Sequence, residues 1–188
     1  LGYYDPTSNR IHLYDVTAGR NDSPDWYVNA ETIIHEAAHQ TAYNIGIHRR
    51  HGDAPLWVGE GIGTLFEAPG VWDSRRHSLI KDRINKQQLN YYRQLVKPSN
   101  SLAALQQQVT SDNLFERNSS LAYAHAWAMT FFLTEREPRR FAELILVVNR
   151  RQAYTQYRPK EGLAVFQQVF GSDLRMFDAR MQRFLQSL

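Results

Sequence analysis

The sequence predicts an α+β fold, mostly helical, with a small β-sheet at its N-terminal end. Three observations predict it. The opening "LGYYDPTSNRIHLYDV" carries two short apolar and aromatic runs around Asp-Pro-Thr-Ser-Asn, the signature of a hairpin with a loop of several residues. From Asn29 onward, apolar residues recur at helical spacing in segments punctuated by Pro and Gly. No internal repeat, low-complexity tract or linker interrupts the 188 residues. They are therefore read as one domain, 1–188, with a sheet cut short where the chain starts.

In chain order, "RIHLYDV" is the second strand of the hairpin and residues 17–25 form a loop. A helix then spans Asn29 to Asn44. Asn29 serves as its N-cap, Glu31 sits in the first turn where the helix dipole favours an acid, and Gly46 stops it. A polar loop ends at Pro55, and a helix follows from Leu56 to Glu67, closed by "APG". Residues 74–97 read as one long polar helix ended by Pro98, and Ser101 as the cap of the short helix in "SLAALQQQV". "TSDNLFERN" is a loop. "SSLAYAHAWAMTFFLTE" is apolar on all sides, which predicts a central helix, and Pro138 breaks it. "RRFAELILVVNRRQ", "EGLAVFQQVF" and, past Gly171, "SDLRMFDARMQRFLQSL" complete the helices.

Composition narrows the function. With no cysteine, Cys-ligated zinc, thiol catalysis and disulfides are all excluded. The longest apolar run, "FAELILVV", falls far short of the roughly 18 residues a bilayer requires. No signal-peptide pattern is visible, and the chain opens on Leu1 without an initiator Met, as a processed protein or excised domain would. The net charge is +3, but the 22 Lys and Arg are interleaved with 19 acids, so nucleic acid is not expected as a partner.

The chemistry concentrates in "ETIIHEAAHQTAYNIG". In a helix, His35 and His39 lie on one face, about 5–6 Å apart at Cβ, able to grip one ion. Glu36 stands about 100° round the helix, within reach of a water on that ion rather than of the ion itself. His-Glu-x-x-His on a helix therefore reads as a metal hydrolase, with Glu36 taking the water's proton. Ile33, Ile34, Ala37, Ala38 and Ala42 make the helix largely apolar. There, unpartnered imidazoles and a carboxylate would cost several kcal/mol.

A catalytic ion needs a third protein ligand. No histidine follows at the spacing of a His-Glu-x-x-His-x-x-Gly-x-x-His pattern, since Arg49 stands near that place and His48 is out of step. Glu60 in "PLWVGEGIGTLFE" is the candidate, on the next helix between the small Gly59 and Gly61. Glu67 lies two turns further on the same face, where it can accept a hydrogen bond from Nδ1 of His35 or His39. Thr64, one turn from Glu60, is placed for the same role.

"HEAAHQ", then "PLWVGEGIGTLFE", then "YAHAWAMTFFL" resembles the gluzincins, the thermolysin and aminopeptidase N group of zinc metallopeptidases. It looks nearest to the peptidase-MA-like domains formerly of unknown function. The opening "GYYDPTSNRIHLYD" and closing "FGSDLRMFDARMQRFL" resemble theirs too, so the likeness spans nearly the whole chain. It implies a zincin-like fold with the hairpin packed on the metal helix. It implies one Zn2+ per chain on His35, His39 and Glu60, a peptide or protein substrate, and Glu36 as general base.

It also implies that Tyr123 donates to the oxyanion, a charge that develops only in the transition state. His125 is the rival for that place, two residues on and pointing to another side. An extended substrate would run along "RIHLYDV", with Tyr4, Tyr14 and Trp26 beside the cleft. A bacterial exported or envelope-associated location follows from the same likeness. Gly63 and Thr64 depart from the more usual Ala and larger polar residue, a change expected to touch packing more than chemistry. The Gly-x-Met-Glu-Asn motif that anchors a substrate's free amine is missing, which favours endopeptidase over aminopeptidase activity. The alternative is a zinc-bearing module that holds a peptide or cell-wall component without cutting it.

Overall fold

The computed structural model describes residues 2–14, 26–52, 54–73, 75–155 and 158–188, and it is mostly helical with one small sheet. Strands β1 (Gly2–Asp5) and β2 (Arg10–Leu13) pair antiparallel, with Gly2 opposite Leu13 and Asp5 opposite Arg10. Asp5 shapes the turn between them. Its carboxylate accepts from Thr7 N at 2.9 Å and from the Ser8 hydroxyl at 2.6 Å, while Asn9 takes the left-handed backbone (φ 57°) that Asn tolerates. Across the strands, the Tyr3 and His12 rings stack with centroids 4.7 Å apart. Both strands pack on the first helix, as expected of the hairpin. The last residues of "RIHLYDV", Asp15 and Val16, lie outside the described residues.

Helix α1 (Trp26–Asn44) starts a turn before the expected cap, so Asn29 lies inside the helix rather than at its N-cap. Gly46, at φ 82°, ends it, and His48 N donates back to Ala42 O at 3.0 Å. Helix α2 (Leu56–Phe66) then packs between α1 and α7 (Ser119–Arg136). As its composition predicts, α7 is buried on nearly every side: Ala122, Ala124, Ala126, Ala128, Trp127 and Phe131 have no exposed surface. Its alanines let neighbours approach closely. A Cβ on Gly61 would lie 2.8 Å from Ala126 O and closer still to the Thr130 hydroxyl, so α2 and α7 meet backbone to backbone.

The rest of the helical body closes round α7. Helices α5 (Ser101–Thr110), α8 (Pro138–Asn149), α9 (Pro159–Phe170) and α10 (Leu174–Gln186) bury Leu105, Leu144, Phe166, Phe177 and Met181 in the same continuous core. Each such side chain contributes about 1.5–3 kcal/mol.

Three expectations need correction. Residues 74–97 are not one helix. A 3-10 turn (Ile80–Arg83) is followed by α4 (Lys86–Leu95), with Ile84 and Asn85 extended between them. The break arises at Asn85, which caps α4 by accepting from Gln88 N and is pulled toward α2 by other bonds described below. Ser101 is not a cap either: it is the first residue of α5, and its buried hydroxyl donates to Asp178 on α10 at 2.5 Å. Pro69 and Gly70 of "APG" open a further short helix, α3 (Pro69–Trp72), and "NLFER" is not loop but the short helix α6 (Asn113–Arg117). Among the described residues, no helix is long and apolar enough to cross a membrane.

Candidate metal centre

The His35 and His39 imidazoles leave the same face of α1, as their spacing requires, and meet Glu60 from α2. His35 Nε2 lies 3.0 Å from His39 Nε2 and 3.2 Å from Glu60 Oε2, and His39 Nε2 lies 3.7 Å from that oxygen. Tetrahedral bonds of about 2.0–2.1 Å place ligand atoms roughly 3.3 Å apart, so these three edges bracket the size of a zinc-type site. The triad is a possible metal-binding site by geometry.

Its electrostatics agree. Burial works against a charged His35, yet Glu60 and Glu67 at its two nitrogens raise its pKa to about 10. Burial likewise opposes the charge on Glu60, but the two histidines hold its pKa at about 2. The donor set thus demands positive charge at its focus. A proton on His35 answers only part of that demand, whereas one divalent cation satisfies all three donor atoms together.

Glu67 occupies the supporting position the sequence allowed it, and it chooses His35: Oε1 accepts from Nδ1 at 2.8 Å. This fixes the ring with Nε2 turned toward the triad. Glu67 is itself held by Asn85, whose amide donates to Oε2 at 2.6 Å and to Thr64 O at 3.0 Å. Sequence reasoning missed Asn85, which it placed inside one long helix over 74–97, because the bonds to Glu67 and Thr64 join segments distant in sequence. Thr64 does not support a histidine. Its buried hydroxyl turns back on its own helix, donating to Glu60 O at 2.7 Å. Gly63 has a direct part in the site. A Cβ there would sit 2.6 Å from His35 Cε1 and Nε2, so the bare glycine makes room for the ligand ring.

Glu36 is buried beside the triad on α1. Tyr123, on α7, packs edge-on against Phe115 and turns toward the same group of carboxylates. Burial first, then the charges of Glu60, Glu36 and Glu67, push its pKa upward, which keeps the phenol protonated. His125 points elsewhere. It is fully buried with neither ring nitrogen hydrogen-bonded, its ring 6.1 Å from that of Tyr92, and burial lowers its pKa to about 4.

On the other flank, a cavity of about 150 Å³ adjoins His39 and Glu60 and is walled by Tyr4, Tyr43 and Pro55. The buried His48 faces it with Nε2 unbonded. His48 was out of step as a ligand on α1 and joins the site's surroundings instead. Tyr4 therefore does border the site. Tyr14 is exposed past the end of β2 and does not line this cavity. The Trp26 side chain lies outside the described residues.

The family model described as "Protein of unknown function (DUF1570)" matches residues 29–155, more than half of the chain. The chain belongs to the DUF1570 family. The DUF1570 match takes in His35, Glu36, His39, Glu60, Glu67, Asn85 and Tyr123, and leaves out the hairpin, α9 and α10. No curated protein and no solved structure matches the chain.

Proposed function

We propose that this protein is a zinc-dependent metallopeptidase of gluzincin type on a zincin-like fold, acting as an endopeptidase. The observation that carries the reading is the three-donor triad, His35, His39 and Glu60, with His35 locked from behind by Glu67 and Asn85. Zinc held there supplies a Lewis acid that acidifies water and polarises a peptide carbonyl. Glu36, next to the first ligand and buried, accepts the water's proton and returns it to the leaving amine nitrogen. Tyr123, kept protonated by its surroundings, donates a hydrogen bond to the oxygen on which charge develops. Tyr4 and β1 flank the approach on the His39 side.

The test pairs metal content with turnover in the full chain. Wild type should hold about one zinc and cleave members of a mixed peptide library. Glu60→Ala should lose metal and activity together. Glu36→Gln should keep its zinc and lose turnover by at least ~100-fold, and Tyr123→Phe should lose ~10²–10³-fold in kcat with metal retained. Cleavage by Glu36→Gln at the wild-type rate would refute the mechanism. Zinc without cleavage of any peptide would favour a module that binds peptide or cell-wall material silently.

A further inference from the structure

At the far end of α7, where it hands over to α8 and meets the last turns of α10, lies a cavity of about 880 Å³. Tyr123 and Arg136 are thirteen residues apart on α7, so this cavity stands roughly 20 Å along the helix from the metal centre. Five arginines line it, Arg136, Arg139, Arg140, Arg180 and Arg183, against a single acid, Glu137. Glu137 pairs with Arg180 at 2.8 Å and with Arg140 at 3.3 Å. Arg136 lies over the Phe184 ring, 5.0 Å from its centroid. Arg136, Arg139 and Arg183 have no ion pair among the described residues, so the cavity carries a net excess of positive charge. The nearby acid Glu135 is taken by Arg83 at 2.8 Å.

The wall between these charges is chiefly apolar, supplied by Pro138 and the arginine stems over the nearly buried rings of Phe132 and Phe184. Helix α8 also begins here. Pro138 is its first residue, and no side chain caps the N–H groups of its first turn, which add to the attraction for an anion.

We propose that this cavity binds a single anionic phospholipid molecule, its phosphate held by Arg139, Arg183 and the start of α8, its acyl part against the apolar wall. Planar guanidinium forks suit phosphate oxygens in pairs. Its volume is in the range of a site for one small molecule, and it opens broadly to solvent. An acidic peptide fits less well. The walls are helices, with no strand edge to pair with its main chain, and an acyl body makes fuller use of an apolar wall than a string of acids does.

The test is calorimetric titration of the full chain with dihexanoyl-phosphatidylglycerol below its micelle concentration. Comparators are the phosphatidylcholine of the same chains, inorganic phosphate and a Glu-rich hexapeptide. Saturable one-to-one binding of phosphatidylglycerol is expected, at least tenfold tighter than any comparator and unchanged by a zinc chelator. Arg139→Gln/Arg183→Gln alters only exposed side chains, and its thermal melt checks that it folds. The double variant should bind phosphatidylglycerol at least tenfold more weakly. Equal binding of phosphatidylcholine would overturn the proposal, as would phosphate alone binding as tightly. So would tighter binding of the peptide, undiminished affinity in the folded double variant, or no binding at all.

Discussion

Replacing Gly63 with Ala should cripple metal binding without unfolding the protein. The added Cβ would lie 2.6 Å from His35 Nε2 and Cε1, whereas ordinary contact begins at 3.4 Å. The imidazole cannot absorb the clash by swinging freely, because Nδ1 is tied to Glu67 at 2.8 Å. The required shift is several times the roughly 0.2 Å tolerance of a metal–ligand distance. Disturbing a ligand's supporting partner costs 10–100-fold in affinity, and displacing the ligand itself should reach at least the upper end, ~100-fold or roughly 3 kcal/mol. The same change should favour the helix, since Ala exceeds Gly by about 0.5–1 kcal/mol in a helix interior. Gly59→Ala supplies a matched control on the same helix. Its Cβ would meet His39 Cε1 at 3.9 Å and His48 Nε2 at 4.0 Å, both ordinary contacts. Competition titration against a chromophoric chelator, with circular dichroism as the check on folding, reads the outcome. Wild-type zinc affinity in Gly63→Ala, or an equal loss in Gly59→Ala, would refute the reasoning.

Asn85→Asp keeps an N-cap acceptor for Gln88 N but puts a carboxylate where an amide now donates to Glu67; zinc affinity should fall ~10-fold or more while helix content holds. Unaltered affinity there would detach Asn85 from the site. His125 gives a pH prediction. Burial lowers its pKa to about 4 from 6.5, so between those values the unfolded chain binds a proton that the folded one refuses. Unfolding free energy therefore falls as the pH drops through that window, by up to roughly 3 kcal/mol from this group, and levels off below it. Denaturant titrations of wild type and His125→Leu at pH 7 and 4.5 should show a smaller acid loss in the variant, and equal losses would contradict the assignment.

Much of the triad is legible in the sequence because its spacing is local. His35 and His39 are one turn apart, and Glu60 and Glu67 two turns apart, so each pair shares a face as soon as its helix forms. What cannot be read locally is which parts meet. Asn85 reaches Glu67 only because the chain breaks its helix at residue 85 and turns back onto α2. The polar run 74–97 has no Pro or Gly to mark a break, and the break is set by Asn85, which caps α4 locally and bonds across to α2 and Glu67. The choice between Tyr123 and His125 is of the same kind. Two residues put them about 200° apart on α7, so one at most can face the carboxylates. Which one does depends on how α7 is rotated in the core: Tyr123 is left half-buried beside the carboxylates, whereas His125 is completely buried next to Tyr92.

Helix α2 shows why packing and chemistry are bound together here. One of its sides carries Glu60 and Gly63, with Glu67 just past its end, and meets the histidines of α1. The other carries Gly61 and touches the backbone of α7 through Ala126. A Cβ at Gly61 would clash with α7 and one at Gly63 with the His35 ring, so both glycines let α2 fit closely between the central helix and the ligand-bearing one. A ligand position good to a few tenths of an ångström needs that close fit, because Glu60 has flexible bonds between its carboxylate and the backbone. Thr64 tightens it further by bonding back to Glu60 O, which fixes the turn from which the ligand departs. The departures at Gly63 and Thr64, which look like packing details in the sequence, are thus where the fold sets the precision of the site.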